Sequence, residues 1–256
     1  MDPIADFLVQ PISGSTEHHL AYAYRWHGRL MVLSWGIMIP LGIIVARYFK
    51  ITRHQNWPVQ LDNRLWWRAH LALQIGGVAL SLLALGFALV GPVTGGSLSV
   101  ELHVLLGWAI VLLGLTQVLG GALRGTRGYP VVALDAELAS RAGVGDHFDM
   151  TLRRCVFEYA HKLCGYAAIV LAGLNIALGL ALTDAPRWMW LVIGLFWISL
   201  GVLALLLQRQ GRCVDTYQAI YGPEATLPGN RREPIGWGVR RYRPGEWPPR
   251  PLSRRA

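Results

Sequence analysis

The sequence predicts an all-α integral membrane protein, a bundle of five transmembrane helices, and three observations lead to this class. Hydrophobic residues make up 53% of the 256 residues and charged residues only 15%, below the roughly 25% of soluble domains. Five apolar runs of about 17 to 22 residues are long enough to cross a hydrocarbon core of roughly 30 Å. Lys and Arg collect in the connections on one side of these runs, as in multi-pass membrane proteins.

Three regions follow from this pattern, at 1–25, 26–210 and 211–256. The first is a polar N-terminal tail that is too short to fold alone. The second carries the spans. The third is rich in Arg, Pro and Gly and has little to bury, so we expect an extended and largely disordered tail.

The apolar runs place the five spans along the second region. We expect them at 30–46, 70–90, 103–123, 157–182 and 188–207. Pro40 lies inside the first span, where neighbouring helices can satisfy the carbonyl that it frees. The connection from 124 to 154 is the longest between spans, and its segment ALDAELASRA predicts a short amphipathic helix.

The distribution of basic residues predicts the orientation. The loop 47–68 holds five Lys and Arg residues, the loop 124–154 holds five, and the chain from 209 onward holds ten. The connections on the opposite side carry only Arg25, Arg29 and Arg187. By the positive-inside rule the N-terminus is extracytoplasmic and the C-terminus cytoplasmic. The same excess accounts for the net charge of +9, so we expect a lipid bilayer and no nucleic acid as partner.

Four histidines stand at the entrances of four apolar runs, namely His27, His70, His103 and His161. Titratable residues within a membrane are costly and usually mark a site. Because successive spans alternate in direction, His27 shares one side with His103, and His70 shares the other with His161. Each pair lies on two helices, as bis-imidazole ligation of a haem iron requires. We therefore predict that four of the five helices hold two b haems through these axial ligands.

Cationic side chains flank both predicted haem layers, and two interpretations stay open. They bind the haem propionates, or they anchor the helices among the lipid headgroups. The cofactor-binding candidates are Arg29, Arg68 and Lys162, with Arg25 and Arg154 beside them. An anionic electron donor would meet a cationic lining made of Arg53, Arg64, Arg68 and Lys162.

Other metal chemistry fits the pattern less well. Glu158 and His161 have the spacing of a di-iron carboxylate motif, but no other helix carries a second ExxH. The remaining histidines lie in tails or loops, where we expect them to be solvated, and only the first two are a weak candidate for an extracytoplasmic metal contact. They are His18, His19, His54 and His147.

Four motifs together resemble the eukaryotic-type cytochrome b561 family. They are HGRLMVLSWGIMIPLGIIVARYFK from His27, WxxxH ending at His70, LHxxxG at His103, and YxHKxxGYxxIxLxxxNIxxG at 159–179. The resemblance covers about residues 25 to 210 and is to the form that follows a DOMON domain in plant b561 proteins and in ferric-chelate reductase 1-like proteins. Only about 25 residues precede it here, so we expect the transmembrane domain without the DOMON domain.

The resemblance implies a haem-dependent transmembrane oxidoreductase of the ferric reductase type, with two b haems on His27, His70, His103 and His161. Electrons would pass from an ascorbate-like donor or a quinol to an extracytoplasmic acceptor such as ferric iron or a partner redox protein. No side chain need do covalent chemistry. The alternatives are a quinol-linked respiratory cytochrome b subunit and a haem-free transporter or membrane scaffold. Whether the protein is a homodimer stays open.

Overall fold

The computed structural model describes residues 2–15, 20–92, 96–129 and 145–247. These residues form helices and irregular connections, with no β-strand among them. Five of the helices are long and apolar enough to cross a membrane: α2 (Tyr22–Tyr48), α3 (Leu65–Val90), α4 (Leu98–Ala122), α5 (Leu152–Leu182) and α6 (Arg187–Arg209). A short helix α1 (Pro3–Val9) precedes them, and α7 (Thr216–Tyr221) and a 3-10 turn (Pro228–Arg231) follow. The prediction of an all-α protein with five candidate spans is confirmed.

The four histidines lie inside their helices, whereas we expected them at the entrances. His27, His70 and His103 each lie roughly one and a half turns after the first residue of the helix, and His161 roughly two and a half. The additional turns contain amphipathic residues such as Trp66, which suit the headgroup region. A criterion based on apolar runs therefore starts these helices too late.

The chain divides into two compact units. The first unit comprises Met1–Leu41, Ala72–Thr116 and Gly165–Leu203, and the second comprises Gly42–Leu71, Gln117–Cys164 and Ala204–Ala256. His27 and His103 belong to the first unit, and His70 and His161 belong to the second. Each predicted pair therefore lies within one unit.

An irregular stretch of α2 lies in the first unit. Residues Val32–Met38 form a π-helix, and Pro40, which has no N–H to donate, follows directly. The Gly36 carbonyl accepts a hydrogen bond from Trp197 Nε1 of α6 at 2.9 Å. A neighbouring helix thus satisfies a backbone group that the irregular turn leaves unpaired, as membrane-embedded backbone requires.

The N-terminal segment is folded, although we expected a polar tail. Asp2 caps α1 by accepting a hydrogen bond from the Ile4 N–H at 3.0 Å. Arg187, the first residue of α6, donates to the Phe7 carbonyl at 3.0 Å and lies over the Phe7 ring. The signal for this helix, Asp followed by Pro, is present in the sequence. His18 and His19 lie outside the described residues.

Residues 211–247 are also folded, so the expectation of an extended tail is wrong for this stretch. Tyr217 is only 2% exposed and packs with Phe148 and Tyr221 in one core cluster. Val214 lies in another cluster, and its carbonyl accepts a hydrogen bond from Lys50 Nζ at 3.0 Å. Tyr217, Tyr221 and Val214 of the tail are buried because the loops before α3 and α5 complete their cores.

The long connection between α4 and α5 is described at both of its ends. Asp146 accepts hydrogen bonds from the Thr126 N–H at 3.0 Å and the Thr151 hydroxyl at 2.8 Å. The helix that we predict at ALDAELASRA falls within 130–144, outside the described residues.

Candidate haem sites

His27 and His103 come together in the first unit. Their ring centroids are 6.2 Å apart and their planes are inclined at 80°. His27 Nδ1 lies 2.9 Å from the Ala84 carbonyl of α3. Because a carbonyl oxygen only accepts, this nitrogen carries the proton, and Nε2 keeps a free lone pair. The hydrogen bond thus orients His27 as metal-binding histidines are usually oriented.

His70 and His161 form an equivalent pair in the second unit. Their ring centroids are 6.3 Å apart and their planes are inclined at 79°. His70 Nδ1 lies 3.0 Å from the Gly42 carbonyl of α2, which again leaves Nε2 with the lone pair. In both pairs one histidine is therefore anchored to the backbone of a neighbouring helix.

The spacing within each pair suits a single iron. Two imidazoles that bind one metal from opposite sides, through bonds of about 2 Å, have ring centroids roughly 6 Å apart. The separations of 6.2 and 6.3 Å agree with this value. Among the residues that the structure describes, no group of three or more His, Cys, Asp or Glu gathers as a metal site. Each pair offers two nitrogen ligands, so a group that supplies the remaining ligands itself, as the porphyrin of a haem would, fits this arrangement.

The second histidine of each pair is held less firmly. In the part of the chain that the structure describes, the Nδ1 atoms of His103 and His161 have no well-formed hydrogen bond. Asn175 lies beside His103, and its backbone and side chain are the polar groups nearest to this ring. A Cβ on Gly179 would lie 3.0 Å from His103 Cε1, so a larger residue there would require this ring to shift by a few tenths of an ångström.

Aromatic side chains surround the second pair. The Phe157 ring stacks on His161 at 5.2 Å between centroids. The ring centroids of Trp67 and His70 are 6.1 Å apart, and the Arg124 guanidinium lies 4.2 Å from the Trp67 ring centroid. Each histidine of the second unit is thus in contact with an aromatic ring.

Comparison with known proteins finds relatives whose names include cytochrome b561. No family model and no solved structure matches the chain. A cytochrome b561, DM13 and DOMON domain-containing protein of Arabidopsis thaliana is 30% identical over 175 residues, 60% of this chain and 16% of that protein. A cytochrome b561 and DOMON domain-containing protein of the same plant is 26% identical over 71% of the chain and 37% of its own length. The protein named "Putative ferric-chelate reductase 1" in Danio rerio is 29% identical over 70% of this chain and 27% of its own length.

This chain is a homologue of cytochrome b561 and DOMON domain-containing proteins. The resemblance predicted from the four motifs is confirmed. The chain spans 16% of the length of the first of these b561 relatives and 37% of the second. The five spans and the b561 relatives together make it an integral membrane protein.

A buried ion network lies next to the second pair of this b561 homologue. Glu158, one turn before His161, accepts two hydrogen bonds from Arg154, at 3.0 and 2.8 Å, and one from Lys162 at 2.9 Å. His147 lies 3.7 Å from the same carboxylate. Two cations thus share one buried acid. The spacing Arg154, Glu158, Lys162, with four residues at each step, is the signal in the sequence that would have indicated it.

His147 is buried, so the expectation that it is solvated is wrong. His147 is only 6% exposed, and its Nε2 accepts a hydrogen bond from Arg154 Nη2 at 3.3 Å. Burial, together with the charge of the nearby Arg154, lowers the pKa of His147 to about 3. The imidazole is therefore neutral at physiological pH. His54, by contrast, is exposed as expected.

The predicted cofactor-binding cations have different surroundings. Lys162 is tied to Glu158 and also donates to the Ile235 carbonyl at 2.7 Å. Arg29 is exposed, and its guanidinium lies 5.4 Å from the ring centroid of Trp26. Arg68 is exposed. Their contact with haem propionates stays a prediction.

The cationic lining that we predict for an anionic donor is exposed at three of its four positions, Arg53, Arg64 and Arg68. Arg64 pairs with Asp62 at 3.3 Å, and Asp62 also binds Arg127 at 2.6 Å. One acid therefore neutralises part of this surface.

Proposed function

We propose that this protein carries single electrons across a membrane through two b haems, one held by His27 and His103 and the other by His70 and His161. The observation that carries the proposal is the 6.2 and 6.3 Å separation of the two ring pairs, which is the spacing of axial ligands on one iron. The names of the relatives support it, since they are cytochromes b561.

The chain's own residues would hold and insulate the cofactor. Backbone carbonyls of Ala84 and Gly42 fix the rings of His27 and His70 through Nδ1, which leaves Nε2 of each ring available for the iron. Two axial histidines leave no open position for a substrate. The haem would supply a reversible one-electron change. The arrangement is thus one for electron transfer.

The direction of transfer is part of the proposal and follows from the charge bias. The positive-inside rule assigns the His70 and His161 pair to the cytoplasmic side and the His27 and His103 pair to the extracytoplasmic side. The donor would be an ascorbate-like reductant or a quinol. The acceptor would be ferric iron, the chemistry named for the Danio rerio relative, or a partner redox protein.

The deciding experiment is a reduced-minus-oxidised spectrum of the purified protein, with haem quantified per chain. We expect two b haems per chain. A protein without a Soret band, or with a Soret band unchanged by His70→Ala and by His103→Ala, contradicts the proposal and favours a haem-free transporter or scaffold. One haem per chain contradicts transfer through two sites.

A second experiment separates the donors. The protein is reconstituted into liposomes, and haem reduction is followed after addition of ascorbate or of a short-chain quinol. Reduction by ascorbate supports the b561-type reaction, and reduction by quinol alone supports a respiratory cytochrome b subunit. Ferric chelate added to the opposite side then tests the acceptor.

A further inference from the structure

The tail segment 235–239 runs along the ends of two spans in the second unit. Arg47 of α2 donates to the Trp237 carbonyl at 2.6 Å. Gln208 of α6 donates to the Gly238 carbonyl at 2.7 Å. Side chains from two membrane helices therefore fix the backbone at Trp237 and Gly238.

The depth of this segment follows from its packing. Val239 contacts a buried cluster that includes Tyr48 and Leu207, and Ile44 and Ala204 pack against the same cluster. Those residues belong to the last turns of α2 and α6. The segment consequently lies at the level where two spans leave the hydrocarbon, which is where the headgroups begin.

Trp237 is exposed although its backbone is held by hydrogen bonds. The residue is 79% exposed, and its neighbours Gly236 and Gly238 have positive φ angles of 115° and 65°. The Arg47 guanidinium lies 5.7 Å from the indole centroid and covers only part of it. A large aromatic ring held in water gains nothing from folding, whereas an indole in the bilayer interface is favourable because its body is apolar and its N–H is polar.

The neighbouring surface identifies what covers the ring. Leu205 of α6, three residues before Gln208 and on the same face of the helix, is 59% exposed. In a membrane-spanning helix such a leucine faces lipid. The exposed indole thus continues a lipid-facing surface.

We propose that Trp237 is seated in the bilayer interface at the ends of α2 and α6, so that segment 235–239 anchors the folded tail to the membrane. The occupant of this surface is lipid at the level of the headgroups and first methylenes. The inference is independent of the haem proposal, because it depends only on the tail and two span ends.

A site-specific fluorophore tests the proposal in the full chain. Trp237→Cys is made after Cys155→Ser and Cys164→Ser, with Cys213 retained because it is 1% exposed, and is labelled with bimane in liposomes. The matched control is Glu224→Cys, an exposed position in the same tail. We expect the label at 237 to be quenched by lipids that carry a nitroxide near the headgroup and shielded from iodide. The label at 224 should show the reverse.

The native side chain supplies a second measurement. The emission of the unlabelled protein minus that of Trp237→Phe isolates one indole, and we expect it to shift to shorter wavelength in liposomes compared with an indole in water. Iodide quenching at 237 equal to that at 224, together with no quenching by nitroxide lipids, would show that the ring faces water or a protein partner and would overturn the proposal.

Discussion

The two histidine pairs share one geometry and differ in their surroundings. Their ring separations differ by only a tenth of an ångström, 6.2 against 6.3 Å. The first pair has Asn175 as a polar neighbour, whereas the second lies beside Glu158 and the two cations that it binds. The geometry of the pairs is therefore set by helix packing, and the electrostatic environment is set separately for each pair. If each pair binds a haem as we propose, the different environments would give the two haems different redox potentials.

Replacing one histidine of each pair tests whether the two proposed sites are independent, and it is expected to have the largest effect. His103→Ala and His161→Ala should each lose one of the two proposed haems and leave the other, because the pairs belong to separate units. Haem per chain, measured as the pyridine complex, should fall from two to one in both variants. His54→Ala, at an exposed loop position, is the control. Loss of both haems in either variant would show that the sites are not independent.

Removing the charge of Glu158 should destabilise the second unit. Glu158→Gln leaves the buried Arg154 and part-buried Lys162 without their acid, and breaking a buried ion pair costs about 3–5 kcal/mol. Thermal unfolding in detergent, followed by circular dichroism, measures the loss. Glu101→Gln, at an exposed position of α4, should change little. Equal stability of both variants contradicts a structural role for the network.

Lowering the pH should act on the same network through His147. Its pKa is about 3 in the folded protein against 6.5 in an unfolded chain, so the unfolded state binds the proton first. The contribution is fully present above pH 6.5 and is lost as the pH falls. By pH 5 the stability lost amounts to about 2 kcal/mol. Unfolding measured at pH 7 and pH 5 should show a smaller pH dependence in His147→Gln, and an unchanged dependence would refute the assignment.

The smallest effect is expected at the irregular turn of the first unit. Trp197→Phe removes the donor to the Gly36 carbonyl and should cost about 0.5–1 kcal/mol, as interhelical hydrogen bonds in membranes do. Trp190→Phe is the matched control on the same helix, because its indole N–H is buried with no partner among the described residues. Unfolding in detergent should separate the two variants, and equal losses would mean that only ring packing matters.

The pairing of the histidines could be predicted from the sequence because it depends on two strong local signals. Span length and span count fix the side on which each entrance lies, and alternating direction then places His27 with His103. The carbonyls that anchor His27 and His70 could not be predicted, since they belong to other helices and any residue type supplies a carbonyl.

The burial of His147 and the folding of the tail could not be predicted for a different reason. Both depend on residues far apart in the chain. Tyr217 donates to the Phe148 carbonyl at 2.9 Å across 69 residues, and Lys50 binds Val214 across 164. A composition rich in Arg and Pro argues against an independent core, and the tail has none; it completes cores begun by loops that precede it.

The folded tail has a consequence for how the protein is made. Residues 211–247 follow all five spans in the chain, so they are synthesised after the spans. Lys50 and Phe148 emerge from the ribosome much earlier than Val214 and Tyr217. The hydrogen bonds that join them can therefore form only after the tail has been translated. The elements of the first unit have all been translated by Leu203. During biogenesis, the unit that contains His27 and His103 is therefore expected to fold before the unit that contains His70 and His161.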